Sequence, residues 1–90
     1  MKLSDRVRIP QEVLARQVGE ETVMLDLEKG AYFGLDPVGA RMWQLLAEGR
    51  TLAEVRDAIV AEYEASRDTI ERDLLALVDD LVMQGLIAPA

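Results

Sequence analysis

Neither cysteine nor histidine occurs anywhere in the 90 residues. Their absence removes disulfides, thiol nucleophiles, imidazole bases and nearly every kind of zinc site. Aromatic residues make up only 4% of the chain, so the mass of any core must come from Leu, Val, Ile, Met and Ala. Long apolar runs are missing as well. None approaches the ~18–20 residues of a membrane span, and the opening "MKLSDRVRIP" lacks the apolar segment of a signal peptide. The expectation is a cytoplasmic protein with no membrane association. Positive charge is scarce too: 10 Lys and Arg stand against 17 Asp and Glu, for a net charge of −7. A duplex nucleic-acid binder needs a basic footprint to release counterions, and this balance has the wrong sign. The one basic cluster, Lys2, Arg6 and Arg8, reads as part of a solvated arm.

What is present fits one small globular domain, half apolar and 30% charged. A chain of this size buries only ~60–65% of the surface exposed on unfolding. Residues 1–12 are polar and contain Pro10, which predicts an extended, partly mobile arm ahead of a domain spanning 13–90. "VLARQV" (Val13–Val18) is a strand candidate and "GEE" (Gly19–Glu21) a turn. Thr22 to Glu28 alternates, with Val23, Leu25 and Leu27 on one face and Met24, Asp26 and Glu28 on the other, the period of a half-buried strand.

The stretch "LEKGAYFGL" then forms a turn and a third strand. A two-residue loop would set Leu27 against Tyr32. A three-residue loop, Glu28 to Gly30, sets Leu27 against Ala31, Leu25 against Phe33 and Val23 against Leu35. Cross-strand partners share a face, so the second register gathers the apolar residues and is the one predicted. It also places Gly30 at the left-handed position of a bulged turn. Tyr32 and Gly34 fall on the outer face.

Three helices follow. Asp36 is an N-cap and Pro37 a first helical residue; Val38, Met42, Leu45 and Leu46 repeat at helical spacing, with Trp43 on the flank, as far as Gly49. Thr51 and Glu54 make a capping box for a second helix whose stripe is Leu52, Val55, Ile59 and Tyr63. The third starts near Ser66 or Asp68 and runs to Gln84, with Ile70, Leu74, Leu77, Val78 and Leu81 buried. Gly85 is its natural C′ residue, with Leu86 folding back toward Leu81. The fold class is α+β: a three-stranded antiparallel sheet followed by three helices, resembling a winged helix-turn-helix.

No catalytic constellation emerges. Adjacent Asp79 and Asp80 diverge by ~100° on a helix, and Asp73 and Asp80 lie ~10 Å apart. Phosphate loops, nucleophile elbows and calcium loops are absent. The reading is a non-enzyme with no cofactor and no metal. What remains is the third strand, whose residues Ala31, Tyr32, Phe33, Gly34 and Leu35 carry no charge although edges are usually blunted by charge, proline or coverage. Either a helix or a second copy covers this edge, or an extended peptide adds to it as a strand. The third helix can wall the adjoining groove, with Asp73, Asp80 and Gln84 flanking Leu77. An apolar floor with an acidic rim suits a peptide carrying apolar anchors near Lys or Arg. A winged-helix transcription regulator is the rival from another class, but the second and third helices are dominated by acids that phosphate repels. A dimer pairing the same edges is a further alternative; monomer or weak homodimer is the expected state.

The run Leu25-Asp-Leu-Glu-Lys-Gly-Ala-Tyr-Phe-Gly-Leu-Asp-Pro-Val-Gly-Ala-Arg-Met-Trp43 resembles the PqqD-like family, and "IERDLLALVDDLVMQGLI" resembles its closing helix, including Asp73 and the terminal Gly85 to Ile87. The resemblance implies a recognition element for ribosomally made, post-translationally modified peptides (RiPPs). Such a domain binds the leader of a precursor peptide as an added strand, between the third strand and the third helix. Carried onto this chain, the strand is Ala31 to Leu35 and the helix wall lies near Asp73, Ala76, Leu77 and Asp80. The run from Gly34 to Gly39 with Arg41-Met42-Trp43 is most similar to the stand-alone subunit of lasso-peptide pathways, whose partners are a leader peptidase of cysteine-protease type and a cyclase. A peptide chaperone for a radical enzyme in a PQQ-type pathway is the sibling reading.

Overall fold

The computed structural model describes all residues from Met1 to Ala90. In chain order the elements are β1 (Val7–Arg8), β2 (Val13–Val18), β3 (Glu21–Asp26), β4 (Tyr32–Leu35), α1 (Pro37–Ala47), α2 (Leu52–Tyr63), α3 (Arg67–Met83) and β5 (Ala88–Pro89). Strands β2, β3 and β4 form an antiparallel meander in that order, and β1 pairs separately with β5. The fold is α+β as expected. Helix α1 packs on β3 and β4, while α2 and α3 pack on each other and on α1.

The helix ends follow from the local sequence. Asp36 caps α1 by accepting the Gly39 amide at 2.7 Å, and Pro37 opens the helix. In α2 the capping box is complete, with Thr51 accepting from the Glu54 amide and Glu54 accepting from the Thr51 amide. The two remaining donors of that first turn, Leu52 and Ala53, bond to the carbonyls of Asp5 and Leu3. This leaves no orphan amide at the start of α2. Helix α3 begins after Ser66, which makes no side-chain cap, and not at Asp68, the other start that the sequence allowed. It closes as expected: Gly85 adopts a left-handed φ of 72°, and the Leu86 amide reaches the Leu81 carbonyl at 2.9 Å.

The N-terminal arm is extended but not free. Its carbonyls cap α2, Val7 is buried, and Ala90 donates to the Arg6 carbonyl beyond the β1–β5 pair. Two-residue strands carry no periodicity, which is why the sequence pattern leaves them unread.

The sheet register differs from both sequence options. Thr22 faces Leu35, Val23 faces Gly34, Met24 faces Phe33 and Leu25 faces Tyr32. The loop is therefore four residues, Leu27 to Gly30. Its cause is Asp26, whose Oδ1 accepts the amides of Glu28 (2.9 Å) and Lys29 (3.0 Å) while its carbonyl accepts that of Gly30. This Asx-type turn takes one more residue than a bulged hairpin. The slip inverts the faces of β3: Met24 and Asp26 are buried against the helices, and Leu27 is 67% exposed. Phe33 and Leu35 keep their inward side. The outer face carries half-buried Leu14, Val23 and Leu25 beside exposed Val18, Leu27 and Tyr32.

The core joins Met24 and Leu35 of the sheet to Met42, Leu45 and Leu46 of α1, Leu52, Val55 and Ile59 of α2, and Leu74, Val78 and Leu81 of α3. Tyr63, expected in the α2 stripe, is at the surface. Arg56 instead is buried and ties α2 to α3 through Glu71 at 2.7 Å, with Asp57 on its Nε.

Candidate functional site

Strand β4 has one strand neighbour, β3, and its other edge pairs with nothing. The direction of its backbone groups follows from a single bond. Asp26 donates to the Ala31 carbonyl at 2.9 Å, so residue 31 turns toward β3. Backbone groups alternate along an antiparallel strand, which turns Phe33 and Leu35 toward β3 as well. The N–H and C=O of Tyr32 and Gly34 consequently point to the open edge. No hydrogen bond from a side chain or from helix backbone reaches Tyr32 or Gly34, and the strand contains no proline. A Cβ built on Gly34 would meet nothing within 4 Å, so the fold itself does not demand glycine there.

Beside this edge lies a cleft of about 380 Å³ between β4, the start of α1 and the first half of α3. Phe33, Gly34 and Leu35 line it from the strand, and Ile70, Asp73 and Leu77 from α3. The N-cap and first two turns of α1 close its end with Asp36, Val38, Gly39 and Met42. The floor is apolar. Asp36 and Asp73 stand on the rim, both exposed and neither in an ion pair, since the four pairs of the fold involve other residues.

Of the residues singled out from the sequence, the cleft brings together Phe33, Gly34, Leu35, Asp73 and Leu77. It does not include four others. Ala31 is half-buried at the foot of the strand, and Tyr32 is 74% exposed on the outer face. Ala76 and Asp80 are exposed on α3, outside the cleft lining. Leu77, assigned to the buried stripe, is only half-buried because it faces the cleft. The lining from α1 was not foreseen. Val38 and Met42, like Ile70 of α3, carry the signal of core residues, and nothing in their periodicity marks a wall of a cleft. Asp36 read as a helix cap, which it is; capping uses its Oδ1 and leaves the other oxygen at the rim. Gly39 has a legible reason: a Cβ would come within 3.1 Å of Asp36 Oδ1 and 3.5 Å of Leu35, so its lack of a side chain keeps the cap and the strand end in place.

No curated protein matches the chain. Two solved structures do. One is described as TbiB1 in complex with the TbiA(beta) leader peptide; it is 44% identical, with 89% of this chain and 93% of that chain covered and a TM-score of 0.80. The other is lasso peptide synthetase B1 complexed with the leader peptide, 33% identical over 93% of this chain and 99% of that one, with a TM-score of 0.83. The family model for coenzyme PQQ synthesis protein D matches residues 21–87, a span that holds β3, the open strand β4 and all three helices. The chain is a member of the PqqD family.

Proposed function

We propose that this protein binds the leader segment of a ribosomally synthesised precursor peptide as an added strand on β4 and carries it to the enzymes of a lasso-peptide pathway. The observation that carries this reading is the unpaired edge of β4, with the amides of Tyr32 and Gly34 turned outward beside an apolar cleft. Strand addition draws affinity from such main-chain donors and specificity from side-chain pockets alongside. The two similar structures, each described as a complex with a leader peptide, support the same ligand class. Ala31 to Leu35 form the docking strand in this reading. Asp73 and Leu77 form the wall, and Ala76 and Asp80 continue it along α3.

The chain acts as a carrier and not as a catalyst. Its partners are a leader peptidase of cysteine-protease type and a cyclase. A guest on the β4 edge leaves the outer face of the sheet open, so the exposed Val18, Leu27 and Tyr32 remain for contact with such an enzyme. No helix is long and apolar enough to cross a membrane, in keeping with a carrier working in the cytoplasm. The acidic surface of α2 and α3 argues against duplex DNA as a partner. One observation favours a second reading: the matching family model is named for PQQ synthesis, where the recruited enzyme would be of the radical type. The neighbouring reading frames separate the two. Calorimetric titration with the synthetic leader of the adjacent precursor tests the shared claim, which expects saturable one-to-one binding by wild type and none by Gly34→Pro.

A further inference from the structure

We infer that the guest strand carries a lysine or arginine two residues before the large apolar side chain that fills the cleft. This rests on the strand-addition reading above and specifies the chemistry of the peptide it selects. Two carboxylates, Asp36 at the end of β4 and Asp73 on α3, rim one apolar cleft from different elements, and neither has a cation. The side chains of Arg41, Arg50 and Arg56 are engaged with Glu62, Glu48, and Asp57 and Glu71. The opposite end of β4 does hold a cation. Lys29, in the turn leading into the strand, places its Nζ 3.0 Å from the site of a Cβ on Gly85, just past the C-terminus of α3. The Asp36 end of the docking edge therefore carries two carboxylates and no cation, whereas the other end holds the cation Lys29 beside Glu28.

This polarity fixes both spacing and direction. The meander is antiparallel throughout, and an antiparallel guest forms the stronger ladder. Such a guest enters with its N-terminal part beside Leu35 and Asp36 and leaves past Ala31 toward Lys29. Alternate side chains of a strand share a face, so the residue two before the anchor is the nearest that also points to the cleft side. It lies on the Asp36 side of the anchor, and a lysine or arginine stem is long enough to set its charge between the two carboxylates. A guest running parallel would turn the same cation away from Asp36 and toward Lys29, so the rim discriminates against the wrong direction.

The test is selection of a displayed library of random short peptides on the full-length protein, counter-selected on Gly34→Pro, whose fold is verified by circular dichroism. Peptides dependent on the β4 edge should be enriched in Lys or Arg two residues before a large apolar residue. Synthetic versions should lose about three- to tenfold in affinity when that cation becomes Gln or moves to two residues after the anchor. The same loss is expected on the Asp36→Asn, Asp73→Asn double variant, in which Asn preserves the cap of α1. Edge-dependent peptides with no cation preference, or with equal affinity for the double variant, would overturn the charge inference and leave strand addition standing. If no selected peptide depends on Gly34, the strand-addition reading fails and this inference fails with it.

Discussion

Asp26 donates its amide to the carbonyl of Ala31 across 2.9 Å, and that bond sets the parity of the whole β3–β4 ladder. Because residue 31 faces inward, residues 33 and 35 do too, and 32 and 34 present their N–H groups outward. Proline, which has no N–H, thus acts differently at neighbouring positions of one short strand.

At Gly34 or Tyr32, proline removes a donor from the open edge and none from the sheet. Both variants should fold, with helical dichroism and melting close to wild type, yet lose leader binding. Gly34→Ala is the control and should keep both properties. Phe33→Pro removes a donor to β3 and should unfold the domain. Leader titration alongside thermal melts reads all four. Undiminished binding by both edge prolines would exclude strand addition at β4.

The β3 register yields a second contrast. Met24 is fully buried and Leu27 is 67% exposed, although alternation alone favours the opposite. Met24→Ala should cost about 2–5 kcal/mol, as for other buried truncations. Leu27→Ser should stay within about 0.5 kcal/mol of wild type. Urea unfolding midpoints decide it; the reverse order would restore the three-residue hairpin.

That register marks the boundary of what the sequence makes legible. Features written in local chemistry were readable: the Asp36–Pro37 start of α1, the Thr51–Glu54 box, the Gly85 stop, and the extent of β2 from Val13 to Val18. The open edge was readable as well, because "AYFGL" lacks the charges that guard edges. The register was not, since it depends on the Asp26 carboxylate turning inward to hold the Glu28 and Lys29 amides, and a period-2 pattern weighs Asp only as polar. The α1 side of the cleft was hidden for a related reason. Val38 and Met42 look like core residues in a helical stripe, and only the tertiary packing of α1 against β4 turns them to an opening.

Glu64 links α2 to α3 with φ 50° and ψ 42°, the sole non-glycine residue with positive φ. A left-handed conformation costs an L-residue roughly 1–2 kcal/mol, which glycine avoids at some loss of unfolded-state entropy. Glu64→Gly should stabilise by about 0.5–1 kcal/mol, a rise in melting temperature of about 2–8 °C for a domain this small. Glu64→Val should lower it. Equal melting of the two variants would mean that the turn relaxes without strain.

Acid stability follows from carboxylates held below their ordinary values. The Thr51 amide and hydroxyl favour the ionised form of Glu54, the Arg41 guanidinium does so for Glu62, and Arg56 for Asp57. A group whose folded value is depressed stabilises the fold above its unfolded value and loses that contribution as pH falls through the folded one. The loss should therefore begin below about pH 4.5, the ordinary glutamate value, and deepen on further acidification. The two glutamates differ in mechanism. The Glu54 carboxylate is held by a 2.8 Å hydrogen bond from the Thr51 amide at a helix start, whereas the exposed Arg41–Glu62 pair is open to screening by salt. Glu54→Gln keeps an acceptor for the Thr51 amide but loses the charge, so it should be less stable than wild type near neutral pH, approach it on acidification, and show a shallower acid slope at any salt concentration. Glu62→Gln should flatten the slope at low salt alone. Urea midpoints followed from neutral pH downward, at low and high salt, separate the two; identical slopes for wild type and Glu54→Gln would remove the capping box from the acid response.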